Sequence, residues 1–85
     1  MKIAAAGNTE TPAYLALLAR GLDISKSATN AGSDEQWTAT DGQRYFIGSG
    51  PLELLGLVAL VDARGEDWRA SDREIDEFLE KFGTV

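Results

Sequence analysis

At 85 residues, 44 % of them apolar, the chain has the length of a single small domain, 1–85, and too much apolar content for global disorder. It contains no histidine and no cysteine, which removes the usual general base, thiolate nucleophiles, disulfides and soft ligands for zinc or iron–sulfur clusters. Fourteen acidic residues against eight basic ones, the latter scattered singly, give a net charge of −6 and argue against nucleic-acid or anionic-membrane binding.

From the N-terminus, Lys2–Ala6 reads as a short buried strand. This apolar run is shorter than the roughly 7–15 residues of a signal-peptide core, and no stretch approaches the roughly 18 residues of a membrane span. Asn8 and Asn30 open no glycosylation sequon, so the expected location is cytoplasmic. Gly7-Asn8-Thr9-Glu10 is a loop, after which Thr11-Pro12 supplies an N-cap and a first-turn proline. Tyr14, Leu15, Leu18 and Leu22 follow helical spacing, with Gly21 as the stop. Ile24–Ala28 is weakly alternating and mostly polar, as an edge strand would be, and 30–34 read as a turn.

Gln36–Thr40 and Gln43–Gly48 flank Asp41-Gly42, a hairpin signal. A two-residue turn there pairs Thr40 with Gln43, Thr38 with Tyr45 and Trp37 with Phe46. Trp37 and Phe46 then share one face and Tyr45 and Ile47 the other; helices are expected over one of the two faces, and the remaining one is a candidate contact surface.

A helix is expected from Pro51 to about Arg64, stopped by Gly65. Leu52, Leu54, Leu55, Leu57, Val58, Leu60 and Val61 wrap nearly all round it, which calls for burial on several sides, within the chain or against another subunit. After the connection Glu66–Ala70, Ser71-Asp72-Arg73-Glu74 forms a capping box. Ile75, Phe78, Leu79 and Phe82 make one stripe of the last helix and Gly83 ends it. Arg73, Asp76, Glu77 and Glu80 occupy the opposite face, with Glu77 spaced to pair with Lys81.

These elements give an α+β fold of order β-α-β-β-β-α-α, with a three- to four-stranded mixed sheet and helices mainly on one face. A right-handed crossover makes the first two strands parallel. The two strand-to-helix junctions then share one sheet edge. Gly7, Asn8, Thr9, Thr11, Gly48, Ser49 and Gly50 would meet there at two helix starts, where free amides favour an anion. No Gly-x-Gly-x-x-Gly or Gly-Lys-Ser/Thr fingerprint is present, and Gly-Ser-Gly-Pro is also ordinary loop and cap chemistry.

Catalytic constellations are poor. Ser49 and Ser71 have no histidine, and Lys2, Lys26 and Lys81 stand in no Ser–Lys motif. Asp62, Glu66 and Asp67 cluster near a helix end, but their spacing matches no EF-hand loop, and a solvated turn explains them. The expectation is therefore a non-enzyme without metal or cofactor. It is a small acidic interaction module, of inhibitor, antitoxin, immunity or assembly-adaptor type, that engages a basic protein partner or a second copy of itself. The residues assigned to that contact are Trp68, Asp76, Glu77 and Glu80, with Trp68 alternatively closing the end of the core. The alternative is a small anionic-ligand or nucleotide-binding domain using the glycine-containing junctions.

Overall fold

Gly50-Pro51 starts, and Gly65 stops, the helix on which the rest of the core packs. The structure is a computed structural model that describes residues 1–28 and 35–83; the expected turn at 30–34 lies outside the described residues. The element order is α1 (Glu10–Ala19), β1 (Asp23–Ala28), β2 (Glu35–Thr40), β3 (Tyr45–Gly48), α2 (Pro51–Arg64) and α3 (Asp72–Phe82). The three described strands form an antiparallel sheet in the order β1-β2-β3, so the domain is α+β.

The expected first strand is absent. Lys2–Ala6 pairs with no strand among the described residues, and Ile3 is exposed. Three alanines carry little strand propensity and little surface to bury, so the run does not offset the cost of ordering it. The parallel pair and its crossover disappear with that strand, and the described sheet is antiparallel throughout rather than mixed.

The hairpin shows a second difference. Thr40 faces Tyr45, Ala39 faces Phe46, Thr38 faces Ile47 and Trp37 faces Gly48, so the register is shifted by two residues and the loop is the four residues Asp41–Arg44. Side chains build the longer loop. The Asp41 Oδ1 accepts from the amides of Gln43 at 2.9 Å and Arg44 at 2.8 Å, while Thr40 Oγ1 accepts from Gly42 N at 3.0 Å and donates to Arg44 O at 2.7 Å. A two-residue type I′ turn needs positive φ at both central residues, and only Gly42 has it, at 95°. A shift of two preserves side-chain facing. Trp37 and Phe46 therefore still share a face, with Ala39, and it is this face that meets the helices, while Tyr45 and Ile47 face solvent.

Helices α1 and α2 pack together on the inner sheet face. Leu17, Leu22, Ala39, Phe46, Leu54 and Val58 form the core, with Ile24, Trp37, Leu55, Leu57 and Val61 half-buried around it. In α1 the buried line is Ala13 and Leu17; Tyr14, Leu15 and Leu18 of the expected stripe are exposed. The segment is apolar on every side, and the small Ala13 permits the closest approach to another helix. Helix α2 runs between the expected ends. It buries Pro51, Leu54 and Val58 and leaves Leu52 and Leu60 exposed, so the sheet and α1 cover only part of its apolar surface.

Among the described residues helix α3 packs extensively against no other element. The chain is correspondingly open: its radius of gyration is 15.4 Å, where a compact chain of this length has roughly 12 Å. Its surface of 6764 Å² compares with roughly 4,900 Å² for a compact protein of this mass.

Candidate functional site

The start of α3 is the best-specified local structure in the molecule. Ser71 Oγ accepts from Glu74 N at 3.2 Å, and Glu74 Oε1 accepts from Ser71 N at 2.8 Å, closing the expected capping box. The Ser71 amide, helped by its hydroxyl and by the nearby Arg64 guanidinium, holds the Glu74 carboxyl below its usual range. Arg64 ties this turn to the end of α2: its Nε donates to Trp68 O at 2.9 Å and its Nη2 lies 3.5 Å from Glu74 Oε1. Gly83 ends the helix at φ 90°.

The body of the helix is amphipathic but uncovered. The rings of Phe78 and Phe82 meet tilted at 46°, 5.1 Å between centroids, and are 60 % and 67 % exposed; Ile75 and Leu79 beside them are exposed as well. The expected stripe thus lies on the surface. It is flanked by Asp76, Glu77 and Glu80, all in solvent. Glu77 pairs with Arg73 at 3.3 Å rather than with Lys81, whose Nζ instead lies 5.5 Å from the Phe82 ring centroid. Both pairings are i,i+4, and the ring of Phe82 draws Lys81 away.

Trp68 occupies a different surface from the three α3 carboxylates assigned with it. It is half-buried, with the Arg69 guanidinium 4.9 Å over its ring, and lines a groove of about 490 Å³ beside β3. Tyr45, Ile47, Leu57 and Val61 supply the apolar lining, and Arg44 and Arg69 carry positive charge at the groove. Sequence reasoning assigned no role to the two arginines. Their spacing of 25 positions gives no signal until the hairpin loop and the post-α2 connection are brought together.

The glycine-containing junctions are only partly assembled. Gly7 and Asn8 lie in the exposed segment before α1, and Thr9 is the α1 N-cap residue without a capping side-chain bond. Thr11, Ser49 and Gly50 line a concavity of about 370 Å³ with Glu10, Tyr14 and Trp37. Two of the amides there already have carboxylate partners. Glu10 Oε2 accepts from Leu52 N at 3.0 Å, and Glu53 accepts from Ser49 N at 2.9 Å and Ser49 Oγ at 3.2 Å. A Cβ on Gly50 would stand 2.9 Å from Glu10 Oε1, and one on Gly48 would stand 2.9 Å from Glu53 Oε1. The glycines therefore admit the chain's own carboxylates to the positive end of α2.

Of the acidic cluster, Asp62 pairs with Arg20 across to α1. Among the described residues no group of three or more acidic side chains is placed to hold a metal ion, and no helix is long and apolar enough to cross a membrane. No family model, curated protein or solved structure matches the chain.

Proposed function

We propose that the protein is a small acidic, non-catalytic interaction module, of the inhibitor, antitoxin, immunity or assembly-adaptor kind, acting in the cytoplasm on a protein partner with a basic surface. One observation carries this reading: α3 exposes Ile75, Phe78, Leu79 and Phe82 between acidic flanks. A contiguous apolar stripe rimmed by charge is the signature of a helix that lies in a partner's apolar groove. The flanking Asp76, Glu77 and Glu80 accelerate encounter with a basic rim and suppress acidic competitors. The protein works by surface complementarity alone and needs no cofactor.

The test is capture from native lysate at low and high salt by three forms of the chain: the wild type, the triple variant Asp76→Lys/Glu77→Lys/Glu80→Lys, and Ser49→Glu. A salt-sensitive protein retained by the wild type and Ser49→Glu but lost by the triple variant supports the reading. Retention by the triple variant with loss in Ser49→Glu contradicts it and returns the function to the concavity at the start of α2. Capture of no protein by a wild type that also does not self-associate contradicts it as well.

A further inference from the structure

The groove beside β3 is complementary to α3 in chemistry, and the strand it lies along is as long as the α3 stripe. Ile47, Leu57 and Trp68 give it an apolar lining. Arg44 and Arg69 outnumber the single lining carboxylate, Glu66. Arg44 is engaged by Asp41 at 3.2 Å, whereas Arg69 has no carboxylate within ion-pair distance among the described residues. Helix α3, with five acidic and two basic residues, carries a charge of −3 around its apolar stripe. From Ile75 to Phe82 the stripe rises roughly 10 Å, and the four residues of β3 extend roughly 13 Å.

We propose that the partner of α3 is a second copy of this chain. The helix of each protomer lies in the β3 groove of the other, giving a two-fold interface in which both surfaces are used twice. This inference rests on the reading of α3 as an interaction helix and names its partner. Two further facts favour it. The chain exposes roughly 1,900 Å² more than a compact protein of its mass, an excess shared between the unpaired N-terminal segment and the uncovered surfaces of α3 and β3, and a stable interface takes roughly 800 Å² from each partner. The groove wall is the connection from which α3 departs, through Trp68 and Arg69, and Arg64 pins the first turn of α3 to the end of α2. The helix is thereby held beside its own groove, and no α3 residue lines it.

The test is sedimentation equilibrium of complementary charge variants. One has Arg44→Glu and Arg69→Glu; the other has Asp76→Lys, Glu77→Lys and Glu80→Lys. The wild type should sediment at twice the 9.1 kDa monomer mass. Each variant alone should be a monomer with a wild-type circular dichroism spectrum. Their equimolar mixture should recover the dimer, because both of its interfaces again pair opposite charges. Arg69→Glu alone replaces the first variant if loss of the Asp41 contact unfolds the hairpin. A monomeric wild type overturns the proposal, as does a dimer that survives in either variant or a mixture that stays monomeric. A monomeric wild type that still captures a protein through the α3 acids removes this inference and leaves the interaction-module reading standing. Absence of both self-association and capture removes both.

Discussion

Glu10 reaches across 42 positions of sequence to close the start of α2, its Oε2 3.0 Å from the amide of Leu52. The N-cap of α2 is Gly50, which has no side chain to accept a bond, and Pro51 has no amide to offer. The carboxylate of α1 thus supplies the cap that the local sequence lacks, and it joins the two packed helices at their N-terminal ends. Glu10→Ala should lower stability by about 1 kcal/mol, the usual cost of losing an N-cap acceptor. Urea denaturation reads it directly; an unchanged midpoint would show that the contact contributes nothing.

The glycines at 42 and 56 should respond in opposite directions. Neither would bring a new Cβ within 4 Å of a neighbour, so backbone conformation decides. Gly42 has φ 95°, and Gly42→Val should cost about 1 kcal/mol or more because a β-branched residue resists positive φ. Gly56 lies inside α2, and Gly56→Ala should stabilise by up to about 1 kcal/mol through helix propensity. Thermal melts of the two variants should move apart from the wild type on opposite sides.

The pattern of agreement with the sequence follows the range of the interactions involved. The capping box at Ser71–Glu74 and the stops at Gly65 and Gly83 depend on neighbours a few residues away, and they stand where periodicity and cap chemistry put them. The hairpin register slipped by two because Asp41 and Thr40 hold the loop with side-chain bonds that a dipeptide signal does not encode. Lys2–Ala6 needed a sheet neighbour that local pattern cannot guarantee. Above all, the amphipathic stripe of α3 reads identically whether the covering surface is in the same chain or another one. The Arg44–Arg69 side of the groove was invisible for the same reason, since both positions gain meaning only through tertiary proximity.

Acid should loosen the hairpin loop and the start of α3. The amides of Arg44 and then Gln43, with the Arg44 side chain, hold Asp41 down from 3.8 to about 2, and the Ser71 contacts hold Glu74 below 4.5. A carboxyl whose folded pKa is depressed contributes stability above its unfolded value and loses it as pH falls through the folded one. The contribution should be complete at pH 6 and fade progressively from about pH 4.5 towards 2. Ser71→Ala should reduce the Glu74 part of this response, because the Ser71 amide that contributes most to it remains, and should cost about 1 kcal/mol at neutral pH. A pH series of denaturation midpoints for the wild type and Ser71→Ala checks both statements; parallel curves would contradict the assignment.

Core and groove positions should separate cleanly. Leu54 is fully buried between α1 and the sheet, so Leu54→Ala should cost about 2–5 kcal/mol. Arg69→Ala, by contrast, should leave the isolated fold within about 0.5 kcal/mol, as exposed substitutions do. Denaturation midpoints of the two variants, compared under the same conditions, give the contrast.

The central claim is that the stripe on α3 belongs to an interface and not to the core of its own chain. The thermal midpoint of Phe78→Ser/Phe82→Ser, measured where the wild type is diluted to monomer, tests this most directly. Side chains 60 % and 67 % exposed leave no cavity when truncated, so the midpoint should stay within about 4 °C of the wild type, a change below roughly 1 kcal/mol. If the stripe were core, the two truncations would cost about 3–5 kcal/mol each. The midpoint would then fall by well over about 10 °C, and that result would contradict the account.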